Sequence, residues 1–166
     1  VMSRADFPTD RYLAEGVCAE TGARLVWIEP AHDGGVTPEL LSGVLSERTA
    51  VVLLSHIAYR SGFLADAAAL TALTHEAGAA VIWDLCHSAG SVPIALDEWG
   101  VDYAVGCTYK YLNAGPGSPA FAYVRADLQE GLQQPLSGWM GAANPFDMTA
   151  PYAPAAGMRR MLTGTP

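Results

Sequence analysis

The chain contains a single lysine, Lys110, which lies in the segment GCTYKYLNAGPG (residues 106–117), whereas its other eight basic residues are all arginines. Arginine replaces lysine readily on a solvated surface, but its guanidinium stays protonated in proteins and cannot serve as a primary-amine nucleophile. A lone lysine can equally be an ordinary surface residue, which is the usual location of this residue type. Its neighbours in sequence and in the fold must decide between these two interpretations.

Other residues capable of chemistry stand where apolar runs end. Ser55 closes one run, Asp84 closes the next with His87 three residues later, and Tyr109 and Lys110 follow a third. Ligands of parallel sheets bind at the carboxyl ends of the strands. Each residue also has a structural interpretation, since Asp84 could cap a helix, His87 could be a hydrogen-bonded buried histidine and Tyr109 could be an ordinary core aromatic.

An aspartate and a lysine at the ends of successive strands match the requirements of pyridoxal phosphate. This cofactor needs a lysine that forms a Schiff base and a carboxylate that keeps the pyridine nitrogen protonated, so that the ring can accept electrons from the substrate. The lysine must be desolvated enough to act as a nucleophile at neutral pH, and the apolar surroundings of Lys110 favour this. Asp84 and Lys110 together therefore predict a pyridoxal phosphate site.

The elements that must position these residues are short apolar runs that alternate with helical segments. This pattern predicts an α/β fold of three layers, α/β/α, around a mostly parallel sheet. Predicted strands lie at 24–29, 50–55, 79–84, 101–107 and 118–124, and Val1 and Met2 read as the end of a further strand. Predicted helices lie at 12–21, from Thr37, from Asp66 to about Ala77 and near 96–99. From Gln134 onward, we expect an ordered surface or interface loop.

Composition excludes several classes of function. A net charge of -8 and no basic cluster longer than Arg159-Arg160 argue against binding to nucleic acid or to an anionic membrane. No run approaches the roughly 18 apolar residues of a spanning helix, and the N-terminus does not resemble a signal peptide. Three widely spaced cysteines favour a reducing cytoplasm and give no metal-ligand spacing, so no metal site is expected.

The chain is also unusually apolar for an isolated small domain. Hydrophobic residues make up 51% of its 166 residues and charged residues only 16%, against about a quarter in an average domain. We expect part of this apolar surface to be covered by segments or subunits outside the chain. Both ends read as interrupted, which indicates one α/β domain taken from a longer polypeptide.

The segment WDLCHSAGSVPIALDEWGVDYAVGCTYKYLNAGPGSPAFAYV (83–124) closely resembles the core of the kynureninase family, pyridoxal phosphate enzymes of the aminotransferase-like fold (fold type I). Family segments similar to FPTD (7–10), PLSGWMG (135–141) and RRMLTGTP (159–166) occur in the same order, so the resemblance covers essentially the whole chain. It implies that residues 1–166 are part of the large, cofactor-binding domain. The family's N-terminal segment and its C-terminal small domain are then absent.

The resemblance also implies roles for individual residues. Lys110 matches the Schiff-base lysine, Asp84 the partner of the pyridine nitrogen, and Phe7 the aromatic that stacks on the ring. Tyr109 and Trp139 match phosphate-binding positions, and Tyr109 is a candidate proton relay. The catalytic set is therefore Lys110, Tyr109 and Asp84, and the cofactor-binding set is Phe7, Pro8, Thr9, Asp10, Ser55, Asp84, His87, Tyr109, Lys110, Trp139 and Thr165.

The reaction that the resemblance implies is hydrolysis of kynurenine, or 3-hydroxykynurenine, to anthranilate, or 3-hydroxyanthranilate, and alanine. This step belongs to tryptophan catabolism and feeds NAD biosynthesis, and the family forms homodimers. The arginine that binds the substrate carboxylate comes from a C-terminal portion absent here. MGAANPFDM (140–148) lacks a histidine that the family leads us to expect, which leaves the choice of substrate analogue open.

Two alternatives stay open at this point. Cysteine desulfurases and related lyases share an acid, a histidine and a lysine, but they lack the YKYLNAGPG and SGWMG segments and need a reactive cysteine on a mobile loop. The chain could also be a truncated, non-catalytic fragment of a pyridoxal phosphate domain, because the carboxylate-binding arginine is missing.

Overall fold

A computed structural model describes residues 1–148 and 151–165. A six-stranded sheet with the strand order β2-β1-β3-β4-β5-β6 organises the chain. Its strands are Met2–Ser3 (β1), Trp27–Ile28 (β2), Val51–Ser55 (β3), Ala80–Asp84 (β4), Tyr103–Cys107 (β5) and Ala120–Val124 (β6). The pairings of β1 with β2, β1 with β3, β3 with β4 and β4 with β5 are all parallel, as expected from continuous apolar runs.

Three α-helices connect the strands, and their ends follow from the local sequence. Helix α1, Pro8–Thr21, has proline at its first position and ends at Gly22 in the left-handed conformation (φ 71°). The Thr37 and Asp66 side chains cap α2, Pro38–Ser42, and α3, Ala67–Glu76, as predicted.

The two faces of the sheet carry different layers, because side chains alternate along each strand. Val52, Leu54, Val81 and Trp83 are fully buried and share one cluster with Leu41 of α2 and Leu70 of α3. The opposite face carries Val51, Leu53 and Ile82, which line an apolar groove of about 660 Å³ together with Leu13 and Val17 of α1. Helices therefore lie against both faces of the sheet, which confirms the predicted α/β class.

The strand order places a switch point between β1 and β3. The chain passes from β1 outward to β2 at the sheet edge, then returns to form β3 on the other side of β1. The connections that leave β1 and β3 therefore run to opposite sides, and a crevice opens at the carboxyl ends of these two strands.

The chain divides into two compact units, of which the first is Val1–Tyr123 and the second begins at Val124. The described residues of the second unit form four short 3-10 helices, at Ala126–Gly131, Trp139–Gly141, Pro145–Asp147 and Gly157–Met161. Arg160 connects separate segments of this unit, because its guanidinium donates to the carbonyl oxygens of Ala155, Glu130 and Leu132. The described residues after 134 form short 3-10 helices and irregular backbone, as the lack of periodicity in the sequence predicts.

The bounds of several predicted elements were wrong. Residues 96–99 form consecutive hydrogen-bonded turns rather than a helix, with bonds such as Trp99 N to Ala95 O (3.0 Å) and Val101 N to Leu96 O (3.0 Å). The strand predicted at 24–29 is reduced to Trp27–Ile28. Among the described residues, no helix combines the length and the apolar character that crossing a membrane requires.

Candidate functional site

Three neighbouring strands end in polar residues at the switch point. Asp6 and Phe7 follow β1, Ser55 is the last residue of β3, and Asp84 is the last residue of β4, directly opposite Ser55 in the parallel register. Because parallel strands end at the same edge of the sheet, these side chains meet at one place. Helix α1 begins here as well, one residue after Phe7.

Asp84 is buried and held by specific donors. Asp84 as a whole residue is only 6% exposed. Oδ1 accepts a hydrogen bond from the Cys86 backbone N–H at 2.8 Å, and Oδ2 accepts a longer one from the Ser55 hydroxyl at 3.4 Å. The first bond is an ordinary turn contact, whereas the second leaves Oδ2 free to bind a stronger donor.

Asp10 brings a second carboxyl group next to Asp84. It lies in the first turn of α1, and its Oδ2 atom is buried without a hydrogen-bond partner among the described residues. Burial, together with the negative charges of Asp84 and Asp6, raises the pKa of Asp10 to about 6, while Lys110 acts in the opposite direction. The carboxyl groups of Asp10 and Asp84 therefore form a negatively charged surface that attracts a cationic N–H donor.

Lys110 faces this surface from the end of β5. Its Nζ atom lies 3.0 Å from Nε2 of His87, 5.8 Å from the centroid of the Phe7 ring and 5.6 Å from the centroid of the Tyr109 ring. Burial and the positive charge of Lys110 lower the pKa of His87. A neutral imidazole can accept a hydrogen bond from the lysine ammonium, and this bond holds the amine in place.

Close backbone contacts fix the loop that carries Lys110. Asn113 N donates to Lys110 O (3.0 Å) and Ala114 N donates to Thr108 O (3.1 Å). Gly90, in the segment after Asp84, has a φ of +87°, and a Cβ atom there would lie 2.6 Å from Tyr111 O. Only glycine allows the segment after β4 and the lysine loop to approach this closely.

Phe7 presents an aromatic surface close to the lysine amine, 5.8 Å from its ring centroid. Its ring is 42% exposed and packs edge-to-face on Tyr59, with the ring centroids 5.3 Å apart. An exposed aromatic that neighbouring contacts hold in one orientation is suited to stack on a flat ligand. The site thus combines a primary amine, a stacking surface and paired carboxyl groups, and these three features fit the aldehyde, the ring and the pyridine nitrogen of pyridoxal phosphate.

The structure brings most of the predicted site residues to this one edge of the first unit. They are Phe7, Pro8, Thr9, Asp10, Ser55, Asp84, His87, Tyr109 and Lys110. Trp139 and Thr165 belong to the second unit, where Trp139 packs edge-to-face on Phe146 with centroids 5.8 Å apart and Thr165 is exposed. Their cofactor-binding roles stay predictions.

Sequence reasoning missed two residues that the structure places at the site, Asp6 and Tyr59. Asp6 is only 5% exposed and binds backbone N–H groups of β1 and β3. Its one sequence signal was its position, a charged residue directly before the FPTD segment. Tyr59 carried no local signal, because its contact with Phe7 spans the distance between two separate strand ends.

Comparison with known proteins agrees with this architecture. The family model for aminotransferase class-V matches residues 1–164. Two kynureninases, from Pseudomonas fluorescens and Burkholderia mallei (strain SAVP1), are 47% and 44% identical to the chain over 99% of its length. The chain spans 38% of the length of each of these relatives.

Solved structures with the same fold are more distant in sequence. The cysteine desulfurase CsdA from Escherichia coli matches 99% of this chain and 40% of its own, with a TM-score of 0.86 at 20% identity. A complex of the cystine C-S lyase C-DES with its product cysteine persulfide matches 99% of this chain and 44% of its own, with a TM-score of 0.84 at 21% identity. At these identities the likeness establishes the fold alone.

Proposed function

Because the chain belongs to the aminotransferase class-V family, we propose that it carries the cofactor site of a pyridoxal phosphate-dependent kynureninase, which hydrolyses kynurenine or 3-hydroxykynurenine to the anthranilate product and alanine. The observation that carries this proposal is the placement of Lys110 Nζ 3.0 Å from His87 Nε2 and beside the Phe7 ring, facing the paired carboxyl groups of Asp84 and Asp10. The kynureninases that match 99% of the chain support the choice of substrate class.

Each residue of the site has a distinct task toward the cofactor. Pyridoxal phosphate supplies a protonated ring that accepts electrons from the substrate. Lys110 would hold it covalently, Phe7 would offer its ring as a stacking surface, and Asp84 would keep the ring nitrogen protonated by accepting a charge-assisted hydrogen bond. Ser55 orients Asp84, because its hydroxyl donates to Oδ2. Tyr109 and Trp139 are proposed to bind the phosphate group.

Proton transfer falls to the residues that surround the lysine amine. Hydrolysis requires a proton to leave the substrate α-carbon and a water molecule to be activated. We assign the first transfer to Lys110, whose amine His87 holds at 3.0 Å, and a relay role to the Tyr109 hydroxyl. Tyr109 is 51% exposed, and its ring centroid lies 5.6 Å from the lysine amine.

The rest of the polypeptide completes the enzyme in this proposal. We propose that residues 1–166 form part of the large cofactor-binding domain, and that an N-terminal segment and a C-terminal small domain, which supplies the arginine for the substrate carboxylate, lie outside the chain. The apolar groove beside α1 supports this arrangement, because such a surface is normally covered. We further propose a homodimer that functions in tryptophan catabolism in the reducing cytoplasm, consistent with three free cysteines.

A cysteine desulfurase of the same fold would need a nucleophilic thiolate, and the cysteine nearest to this site is unsuited to that task. Burial and the nearby Asp84 carboxylate raise the pKa of the Cys86 thiol. A thiol with a raised pKa is a poor nucleophile at neutral pH. Cys86 therefore does not offer the nucleophile that this alternative requires.

The test uses the full-length protein that contains this chain. Addition of pyridoxal phosphate should produce the visible absorbance of a Schiff base, and addition of kynurenine should then release the fluorescence of anthranilate. Lys110→Arg should abolish the absorbance while it keeps the positive charge, since arginine cannot form the imine. Absence of the absorbance in the wild type refutes the cofactor assignment. A Schiff base without anthranilate refutes the kynureninase but leaves the cofactor, as for a lyase or a non-catalytic domain.

A further inference from the structure

We propose that Asp6 is a positioning residue of this site, and that its buried carboxylate replaces a missing rung of the sheet between β1 and β3 and thereby sets the positions of Ser55, Asp84 and Phe7. The inference rests on the proposed function for its effect on the cofactor. It rests only on the described contacts for the bridge itself.

The bridge follows from the geometry of the parallel ladder. Alternate N–H groups of a parallel strand point to the same neighbour. Leu53 N of β3 donates to Val1 O at 2.9 Å, so the next N–H on that side belongs to Ser55 and would be expected to bind Ser3 O. Instead, Ser55 N donates to Asp6 Oδ1 (3.2 Å), and Ser3 O accepts from Asp6 N (3.2 Å).

The same carboxylate also satisfies the other strand. Ser3 N donates to Asp6 Oδ2 at 2.9 Å, so the two oxygens of one side chain bind one N–H from each strand. The strands separate at this point because the switch in strand order opens the crevice here. Asp6 therefore joins the two walls of the crevice at its base, and at 5% exposure little water competes for these bonds.

Two features of the cofactor site depend on this bridge. The Ser55 backbone that Asp6 holds carries the hydroxyl that donates to Asp84 Oδ2 at 3.4 Å. Asp6 also directly precedes Phe7, the N-cap residue of α1, so the turn that its side chain closes sets where the Phe7 ring stands.

Only a carboxylate meets these requirements in full. Two backbone donors converge on Asp6, and each needs an acceptor. Asparagine offers one acceptor oxygen, and its amide N–H groups would face the second donor. Asp6→Asn therefore preserves size but breaks one of the two bonds, which makes it the informative variant. Asp33→Asn, at an exposed position, is the matched control for the same chemical change.

The experiment compares Asp6→Asn, Asp33→Asn, Ser55→Ala and the double variant Asp6→Asn/Ser55→Ala in the full-length protein. For Asp6→Asn we expect the dissociation constant of pyridoxal phosphate to rise about tenfold and the pH midpoint of the Schiff-base absorbance to rise by about half a unit, because Asp84 is less well placed to keep the ring nitrogen protonated. Since Asp6 acts through Ser55, the midpoint shifts of the single variants should not add in the double variant. Asp33→Asn should match the wild type.

A measurement without cofactor separates this inference from the proposed function. In the apoprotein, hydrogen exchange at the Ser3 or the Ser55 amide should be at least about tenfold faster in Asp6→Asn than in Asp33→Asn, because one of these two amides loses its acceptor. Unchanged exchange at both amides overturns the bridge, whatever the cofactor does. Faster exchange with an unchanged midpoint and an unchanged dissociation constant reduces Asp6 to a structural residue and overturns its positioning role. If the wild type forms no Schiff base, the proposed function fails, and the exchange result alone still decides whether the bridge exists.

Discussion

Replacement of Asp10 by asparagine should stabilise the apoprotein against unfolding and at the same time weaken its binding of the cofactor. Burial and two neighbouring carboxylates raise the pKa of Asp10 from 3.8 to about 6. A raised pKa means that the folded protein binds the proton more tightly than the unfolded chain does. The ionised side chain therefore lowers stability above about pH 6, and this penalty disappears as the pH falls below the unfolded value near 4.

The size of the effect follows from the shift. A difference of about two pKa units corresponds to about 3 kcal/mol, which we halve to about 1.5 kcal/mol because Asp10 is only half-buried and solvent screens its charge. Asp10→Asn removes the charge and offers Asp84 an N–H donor. Its free energy of unfolding should therefore exceed that of the wild type by about 1 to 2 kcal/mol at pH 8, and by little at pH 4.5.

The assay is urea unfolding of the full-length apoprotein at both pH values, with Asp33→Asn as the exposed control, followed by titration with pyridoxal phosphate. Loss of a carboxylate beside the ring nitrogen should raise the dissociation constant about tenfold, the reverse of the effect on stability. An Asp10→Asn apoprotein no more stable than the wild type at pH 8 would refute the electrostatic reasoning. A gain in stability that persists unchanged at pH 4.5 would refute it equally.

Three further predictions test the loops and the chemistry. Gly90→Ala should lower the free energy of unfolding, measured in urea, by about 2 to 3 kcal/mol, because the φ of Gly90 is +87° and a Cβ there would lie 2.6 Å from Tyr111 O. As a control, Gly16→Ala should raise the free energy of unfolding by up to about 1 kcal/mol, because Gly16 lies in α1 and a Cβ there would meet nothing within 4 Å. Cys86 should resist alkylation by iodoacetamide at pH 8, as mass spectrometry can show, since burial raises its thiol pKa; rapid labelling would contradict this. Borohydride should fix pyridoxal phosphate on Lys110 and on no other residue of this chain, and an unmodified Lys110 peptide would contradict its assignment.

Local sequence was sufficient to predict the central strands, because their cores are apolar on both faces. The predicted strands at 50–55 and 79–84 match β3 and β4 to within a residue at each end. The strand predicted at 24–29 shrinks to two residues, since β2 pairs only with the equally short β1. The length of an edge strand depends on its neighbour, and a sequence read locally does not contain that information.

Helix α1 begins with start signals in its sequence that the prediction of a helix from Tyr12 does not include. The helix was predicted from Tyr12 onward, whereas it begins at Pro8. Proline at the first position and Asp10 in the first turn are both typical of a helix start. FPTD (7–10) therefore carries these helix-start signals as well as its resemblance to a family segment. Its residues reach the site because they form the first turn of a helix at the switch point.

The chemical pairing of Asp84 with Lys110 was predictable from sequence because both follow strands, and parallel strands end at one edge. The part played by Asp6 was not, and Asp10 was expected at the site only from the family resemblance, since both placements depend on β1 lying between β2 and β3. That order brings the residues after β1 within reach of the ends of β3 and β4. This proximity follows from the strand order, and no spacing of residues within the chain encodes it.

The site as a whole has an electrostatic imbalance that a cationic ring would relieve. Three carboxyl groups, those of Asp6, Asp10 and Asp84, lie close enough for burial and mutual repulsion to raise the pKa of both Asp6 and Asp10 to about 6. The positive charge of Lys110 has the opposite effect and lowers the pKa of Asp10. The lysine amine must be uncharged, however, to act as a nucleophile. A protonated pyridine nitrogen restores a positive charge at the carboxylate edge. The arrangement that weakens the apoprotein is therefore the one that selects the cofactor, and cofactor binding should stabilise the fold more at pH 8 than at pH 5.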